Sequence, residues 1–230
     1  MHCHILPGID DGSPDVETSL KMIEALQKQG AKKIVLTPHY YSNEISYDDF
    51  LKLREESFEK LKAALPEGSP ELIPAAEVYI SDYLLNNENI DGLKIGNSNY
   101  VLIEHGFGSP FDDKVYNRLM NLYCDYGIRP ILAHIERYKA LMEGKHKLDD
   151  FIEMGCLTQV NISSFSDAPR GIRKKLFRFL EEGKIHLIGS DCHNLDTRSP
   201  DYESGINAIL KKHPKELIDT LISNANLITE

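Results

Sequence analysis

The apolar positions of this chain follow two alternating patterns, one typical of amphipathic helices and the other typical of buried strands. Leu20, Ile23 and Leu26 recur at three-residue spacing and predict a helix that begins near Ser13 and ends at Gly30. The short run after this helix is rich in β-branched residues and predicts a buried strand. The same alternation continues to the end of the chain.

The later elements are predicted in the same way. The predicted strands are residues 33–37, 71–76, 100–103, 130–133, 157–162 and 186–190. The predicted helices are 47–65, a short one near 81–86, the segments that end at Gly127, Met154 and Gly183, and two segments at the end of the chain. About seven such repeats predict a parallel sheet with helical crossovers. No linker or low-complexity stretch divides the chain, so we expect one α/β domain over residues 1–230.

Isolated histidines and acidic residues follow the predicted strands. They are His39, Glu77, Glu104, His134 and Asp191. In a (β/α) barrel the carboxyl ends of the strands meet on one face, and that face carries the active site. Residues far apart in the sequence would therefore surround a single pocket.

Two histidines separated by one residue, His2 and His4, stand near the start of the sequence. In an extended segment their side chains point to the same side, because side chains of a strand alternate between its faces. Imidazole and carboxylate ligands without thiolates suit Mn²⁺, Fe²⁺ or Zn²⁺. The candidate ligands, enough for two or three ions, are His2, His4, Asp11, His39, Glu77, Glu104, His134, Asp191 and His193. The other histidines are interpreted as structural or surface residues: His105, His146, His186 and His213.

The charge balance narrows the choice of partner. The 230 residues include 26 basic and 36 acidic side chains, which give a formal net charge of −10. Binding of a phosphate backbone requires a basic face, so nucleic acid is excluded as a main partner. Carboxylates gathered around metal ions would account for part of the negative charge.

The cysteines and the apolar runs indicate the cellular compartment of the protein. Cys3, Cys124, Cys156 and Cys192 are scattered and form no CxxC pair. No apolar leader follows Met1, and no apolar run approaches the roughly 20 residues that span a bilayer. We therefore expect a cytoplasmic protein with reduced thiols and no membrane insertion.

One segment suggests a different chemistry. Residues 192–199 match the C-x5-R-[ST] spacing of cysteine-dependent tyrosine phosphatases, whose loop binds phosphate on backbone amides and lowers the thiol pKa. Here the loop contains Asp196 and no glycine, and it follows Asp191. Two carboxylates would raise the thiol pKa and repel phosphate, which disfavours a nucleophilic Cys192.

The motifs in combination resemble the polymerase and histidinol phosphatase (PHP) superfamily. They are His-x-His, Pro-His after the second strand, single glutamates after the third and fourth, His-x-Glu-Arg after the fifth and Asp-x-His after the seventh. The segments 2–12 and 134–137 resemble more closely the bacterial protein-tyrosine phosphatases of the CpsB/YwqE type, which are associated with capsular and exopolysaccharide synthesis. In that family several strand residues precede the first histidine, whereas here His2 follows Met1, so we expect a short first strand.

This resemblance implies a distorted (β/α)7 barrel of the PHP type that holds two or three metal ions, with Mn²⁺ as the expected metal and Fe²⁺ or Zn²⁺ as alternatives. One ion would be held by His2, His4, Glu77 and Asp191. A second would share Glu77 and add Glu104 and His134, and a third would be held by Asp11, His39 and His193. Arg137 and Arg198 would bind the substrate phosphate, since a guanidinium matches its oxygens, and a metal-bound hydroxide would attack the phosphorus.

The implied activity is removal of phosphate from protein tyrosine in the control of polysaccharide synthesis, with a bacterial tyrosine kinase of that pathway as a partner. Two alternatives remain open from the residues. The same ligands could serve a PHP-type phosphoesterase for a small molecule such as histidinol phosphate. They could also serve a metal-binding module without catalytic activity.

Overall fold

The computed structural model describes residues 1–144 and 147–230. Its helices are α1 (Val16–Lys28), α2 (Tyr47–Ala64), α3 (Asp113–Tyr126), α4 (Lys139–Glu143), α5 (Lys147–Glu153), α6 (Ser164–Asp167), α7 (Arg170–Glu181), α8 (Glu203–Leu210) and α9 (Glu216–Ile228). Its strands are β1 (Lys33–Leu36), β2 (His39–Tyr40), β3 (Glu71–Pro74), β4 (Glu77–Tyr79), β5 (Tyr100–Glu104), β6 (Arg129–Leu132), β7 (Leu157–Asn161) and β8 (Leu187–Gly189).

All the strand pairs in the described residues are parallel. β1 pairs with β3, and a second sheet has the order β2-β4-β5-β6-β7-β8. Backbone hydrogen bonds from Ala75 to Leu36 and from Glu77 to Pro38 connect the two sheets across the breaks between β1 and β2 and between β3 and β4. The helices are the crossovers that parallel pairing requires, so the α/β class with a parallel sheet is confirmed.

Residues 2–4, which include the first two histidines, lie between the end of β1 and the end of β8. Cys3 forms an isolated parallel bridge with Cys192, and its carbonyl accepts a hydrogen bond from the backbone N–H of Thr37. The backbone N–H of Asp191 donates to the carbonyl of His2 at 2.8 Å. The parallel sheet is therefore curled, and the segment around Cys3 contributes an isolated bridge rather than a full strand.

Several predicted elements differ in their bounds, and two of these differences have a clear local cause. The predicted strand 33–37 continues after an interruption at Pro38, which has no N–H to donate to a ladder. The first helix begins at Val16 rather than near Ser13, because the Asp15 side chain accepts from the N–H of Thr18 and caps it.

The helix predicted to end at Gly127 does so. Gly127 follows α3 in the left-handed conformation (φ 64°), and its N–H bonds to the carbonyl of Leu122. The interpretation of His146 lies outside the described residues. Within the described residues, no helix has the length and apolar character needed to cross a membrane.

Candidate metal centre

The strand ends bring the candidate ligands together. His39 and Glu77 are the first residues of β2 and β4, rather than residues beyond a strand end, and Glu104 is the last residue of β5. His134 and Asp191 each lie two residues past a strand, after β6 and β8. His39 and Glu77 also lie just past the carboxyl ends of β1 and β3, so all five residues lie toward the carboxyl side of the curled parallel sheet and their side chains converge.

Glu77 lies at the centre of the cluster and is 1% exposed. Its Oε2 atom is 3.2 Å from Nε2 of His2, 3.2 Å from Nε2 of His4 and 3.2 Å from Nδ1 of His39. Its Oε1 atom is 2.8 Å from Nε2 of His134. A buried carboxylate therefore faces four imidazole rings.

Three overlapping groups have ligand atoms within 4.8 Å of one another. They are His2, His4, Glu77 and Asp191; His4, Asp11, His39 and His193; and His39, Glu77 and Glu104. The first is the expected set for one ion, and the second contains the expected set of another. The remaining expected set is Glu77, Glu104 and His134. Nε2 of His134 is 2.8 Å from Oε1 of Glu77 and 3.6 Å from Oε1 of Glu104. His39 is thus shared between two groups, which the sequence reasoning did not anticipate.

Outer hydrogen bonds orient several of these rings. Nδ1 of His4 is 2.7 Å from Oδ2 of Asp10, an atom that can only accept while the carboxylate is ionised. Nδ1 of His193 faces the backbone carbonyl of Asp191 at 3.0 Å. In the neutral rings Nδ1 therefore carries the proton, and Nε2 presents its lone pair to the cluster.

Asp10 has a role that the sequence reasoning did not assign. Besides His4, its carboxylate accepts hydrogen bonds from the backbone N–H groups of His39 and Gly12. Burial by itself would raise the pKa of Asp10, but the hydrogen bond and charge of His4 and the two backbone donors lower it to about 2. Asp10 therefore stays ionised and holds the His4 ring in place.

The turn that follows Asp10 needs a glycine. A Cβ atom on Gly12 would lie 2.2 Å from the carbonyl oxygen of His4, so only glycine fits against that backbone. This close approach carries Asp11 over the cluster, where its Oδ1 is 3.4 Å from Nε2 of His193 and 3.5 Å from Nε2 of His39.

Backbone strain coincides with the cluster. Among the described residues, the non-glycine residues with positive φ are His2 (59°), His134 (32°) and Asp191 (53°). Such conformations are costly for residues with a Cβ and persist where surrounding contacts impose them, often at functional sites. All of them are candidate ligands.

The electrostatics of the cluster favour a cation. Burial and the neighbouring charge of Glu77 raise the pKa of Glu104 to about 7, since buried carboxylates are crowded together here. Burial opposes a charge on His4, yet the carboxylates of Asp10 and Glu77 raise its pKa to about 10. The site therefore attracts positive charge strongly.

A divalent metal ion fits these residues. Glu77 Oε2, His39 Nδ1 and His193 Nε2 are buried and have no hydrogen-bond partner in the described part of the protein. Buried polar atoms without partners are unfavourable, whereas nitrogen and carboxylate atoms that converge in this way are the donors preferred by ions such as Mn²⁺, Fe²⁺ and Zn²⁺.

Two arginines border the cluster. Nη2 of Arg137 is 2.8 Å from Oδ2 of Asp191, and Nη2 of Arg198 is 2.8 Å from Oδ1 of the same carboxylate. The Arg137 guanidinium lies over the Phe107 ring, 5.5 Å from its centroid. The Oδ1 atom of Asn194 accepts from the N–H of Arg198 and shapes the loop that presents it. Both guanidinium groups are about one-third exposed and accessible to an anion.

A cleft opens beside the cluster. Its volume is about 460 Å³, and it is lined by Ile9, Asp10, Asp11, His39, Tyr41, Glu44, Ile45, Phe50 and Leu53. One side is thus formed by candidate ligands and the other by apolar and aromatic side chains. The apolar side of this lining matches a flat apolar group.

The cysteine chemistry does not fit the structure. Cys192 is 1% exposed and belongs to a buried apolar cluster with Cys3, Ile5 and Leu6. Its thiol is therefore not accessible to a substrate phosphate.

The other described histidines lie outside the metal groups. Nε2 of His105 is 3.1 Å from the carbonyl of Pro110, and the ring packs edge-on against Phe111. His186 bonds to Thr158 through Nδ1, and His213 stacks on Phe177. These contacts are typical of structural residues, and the interpretation of the three histidines as structural or surface residues stays a prediction.

The chain is similar to known proteins over almost its whole length. The sequence matches over residues 1–230 the profile of the family described as "Capsular polysaccharide synthesis, CpsB/CapC". It is 31% identical to the tyrosine-protein phosphatase CpsB of Streptococcus agalactiae serotype V, over 99% of this chain and 96% of that protein. It is 29% identical to the tyrosine-protein phosphatase YwqE of Bacillus subtilis, over 99% and 90% of the two chains.

A solved structure is also similar. It comes from a study of YwqE from Bacillus subtilis and CpsB from Streptococcus pneumoniae, described there as unique metal-dependent tyrosine phosphatases. The TM-score is 0.82 at 25% identity, over 99% of this chain and 92% of the other. The chain therefore belongs to the CpsB/CapC family of capsular polysaccharide synthesis.

Proposed function

We propose that this protein is a metal-dependent protein-tyrosine phosphatase, a phosphomonoester hydrolase that acts in the control of capsular or exopolysaccharide synthesis. The observation that carries the proposal is the position of Glu77, buried among four imidazoles. Two guanidinium groups border the same cluster through Asp191. The relatives named as tyrosine phosphatases cover nearly the whole chain.

The proposed ligands are the nine residues of the sequence prediction. The shared position of Glu77 supports a bridging role between two ions, and the group around Asp11 and His193 supports a third. Mn²⁺ is the proposed metal because the family resemblance implies it, and Fe²⁺ or Zn²⁺ are alternatives that suit the same imidazole and carboxylate donors. Closely spaced divalent ions supply an activated water and withdraw negative charge from the phosphoryl oxygens.

The arginines would orient the phosphate. A guanidinium presents paired N–H donors in a plane that matches two oxygens of a phosphate group. Arg137 and Arg198 approach the Asp191 carboxylate from two sides, so an anion above that carboxylate would be within reach of both. Their part in the reaction is to hold the phosphorus in line with the attacking water.

The cleft beside Asp11 and His39 would receive the aromatic ring of the substrate. Its apolar side, which includes Ile45 and Leu53, excludes water from one face of the ring. An apolar side next to the proposed metal ions supports an aryl phosphate over an alkyl phosphate. The proposed physiological partner is a phosphotyrosine segment of a protein in polysaccharide synthesis, such as a bacterial tyrosine kinase.

The proposed architecture is the distorted (β/α)7 barrel of the PHP superfamily. It is supported by the hydrogen bonds of residues 1–4 to both Thr37 and Asp191, which continue the parallel pairing between β1 and β8. Free cysteines at positions 3, 124, 156 and 192 support a cytoplasmic location, where thiols stay reduced.

A substrate panel tests the proposed function. Metal-free protein loaded with Mn²⁺ is assayed on a phosphotyrosine peptide, a phosphoserine peptide, histidinol phosphate and single-stranded DNA. We expect the phosphotyrosine peptide to have the highest kcat/KM, and the activity to disappear in Arg137→Ala. A higher kcat/KM for histidinol phosphate would replace this proposal with a small-molecule phosphatase. Inactivity on every substrate would indicate a binding module.

A further inference from the structure

Strand β7 contributes no candidate ligand, yet two of its side chains point into the cluster. Gln159 and Asn161 are buried, and both lie on the face of β7 opposite to that of Thr158 and Val160. A buried amide requires hydrogen-bond partners for its oxygen and its nitrogen. The partners of these two amides lead to three candidate ligands.

The direction of each hydrogen bond follows from one backbone group. Oε1 of Gln159 is 2.8 Å from the backbone nitrogen of His134, and a backbone N–H can only donate. Oε1 is therefore correctly placed as the acceptor, and Nδ1 of His2, at 3.0 Å from the same atom, must donate to it. The neutral His2 ring then carries its proton on Nδ1 and presents the lone pair of Nε2 to Glu77 and Asp191.

The same orientation continues to Asp191. Nε2 of Gln159 donates to Oδ1 of Asn161 at 3.0 Å, so Nδ2 of Asn161 faces Oδ2 of Asp191 and donates to it at 2.7 Å. The Asn161 backbone is itself held by Oε1 of Glu136, next to Arg137 in the chain. One row of hydrogen bonds thus links His2, His134 and Asp191.

These three ligands are also the strained ones. His2, His134 and Asp191 are the non-glycine residues with positive φ in the part of the chain that the structure describes. Local backbone preference does not favour their conformations, so contacts from elsewhere must hold them. The Gln159–Asn161 pair supplies such contacts to each of them.

The neighbouring strand leaves space for this pair. A Cβ atom on Gly189 would lie 2.6 Å from Nε2 of Gln159 and 2.8 Å from Cβ of His2. β8 therefore carries a glycine where the amide and the imidazole pass between the strands.

We propose that Gln159 and Asn161 are positioning residues that hold His2, His134 and Asp191 in their metal-binding geometry and thereby raise the affinity of the cluster for divalent cations. This inference rests on the proposed metal-dependent function. Groups that orient metal ligands from behind typically change metal affinity by roughly 10- to 100-fold when they are removed.

The test measures the Mn²⁺ dissociation constants of the full chain by calorimetric titration of metal-free protein. Gln159→Met keeps the length and volume of the side chain but removes both hydrogen-bonding functions. We expect it to weaken Mn²⁺ binding by about 10-fold or more. Gln159→Glu retains the acceptor for His2 and for His134 but loses the donor to Asn161, so it should weaken Mn²⁺ binding less than Gln159→Met does.

Thr158→Val is the matched control. Thr158 is buried on the same strand and donates to the carbonyl of Lys184, but it faces away from the cluster. Its replacement should lower the melting temperature of the metal-free protein as Gln159→Met does, without changing Mn²⁺ affinity. A purely structural role for Gln159 would instead give the two variants the same affinity.

The outcomes separate this inference from the proposed function. Unchanged Mn²⁺ affinity in Gln159→Met would overturn the positioning role alone, whereas a parent that binds no Mn²⁺ would overturn both proposals. If Gln159→Met does not fold, Asn161→Ala decides the question. It removes the donor to Asp191, and unchanged affinity in that variant would equally reject the proposal.

Discussion

At the scale of single residues, Glu77 is distinguished by its contacts on both carboxylate oxygens. Oε2 faces His2, His4 and His39, and Oε1 faces His134. Asp11, by contrast, belongs to one group and is 65% exposed. Removal of each carboxylate should therefore reduce the number of bound metal equivalents by a different amount.

Replacement of Glu77 tests this difference. Glu77→Ala removes the anion that we propose lies between two ions, so it should lose more than one equivalent of metal. Asp11→Ala should lose about one equivalent. Metal content is measured by elemental analysis after dialysis against a fixed Mn²⁺ concentration, with circular dichroism as the folding control. A Glu77→Ala protein with the metal content of the parent would contradict the bridging role.

Cys192 and its neighbour Asp191 separate the two phosphatase chemistries. Cys192 packs in an apolar cluster, so Cys192→Ser should keep kcat/KM within about threefold, a change below about 1 kcal/mol in the barrier. Asp191→Ala should abolish turnover of a phosphotyrosine peptide, because it removes a proposed ligand. An inactive Cys192→Ser protein together with an active Asp191→Ala protein would reverse the assignment.

At the scale of elements, the turn before α1 and strand β7 both supply side chains that hydrogen-bond to candidate ligands and orient them. The turn does so through Asp10, whose carboxylate joins the His4 ring to the backbone of His39 and Gly12. A charged acceptor behind an imidazole increases its basicity and fixes its orientation. The turn therefore contributes to the site without supplying Asp10 as a ligand.

A single-atom change tests that contribution. Asp10→Asn removes the negative charge behind His4 and should weaken Mn²⁺ binding by roughly 10-fold. Asp15→Asn is the matched control, since Asp15 is exposed, caps α1 and contacts none of the ligands. The two variants are compared by calorimetric titration with Mn²⁺. Equal affinities would show that Asp10 matters only for the shape of the turn.

At the scale of the whole molecule, the cluster joins residues from both ends of the chain, so metal binding should stabilise the fold. A ligand present at about 100 times its dissociation constant stabilises the native state by about 2.7 kcal/mol. For a chain of this length that corresponds to a rise of roughly 5–10 °C in the melting temperature. Chelation should remove both this increment and the activity, and Mn²⁺ should restore them.

Calorimetric scans with and without Mn²⁺ measure this effect. Glu77→Ala serves as the control, because its response to Mn²⁺ should be much smaller than that of the parent. Full phosphatase activity in protein shown by elemental analysis to be free of metal would contradict the metal-dependent mechanism.

The sequence by itself determined the class of fold and the chemical type of the site. Helical and extended periodicities are local, so the order of strands and helices could be predicted from neighbouring residues. The rule that parallel strand ends meet on one face then gathered His39, Glu77, Glu104, His134 and Asp191. Imidazole and carboxylate side chains at these places indicated a metal site before any distance was known.

Only the tertiary structure decided how these residues are shared and supported. The contact between His2 and Gln159 joins positions 157 residues apart, and no local pattern reports such a pairing. The sharing of His39 between two groups and the positive φ of three ligands likewise follow from packing between distant strands. Gln159 and Asn161 read as ordinary polar residues of a strand, because an amide acquires its role only from the partners that the fold places around it.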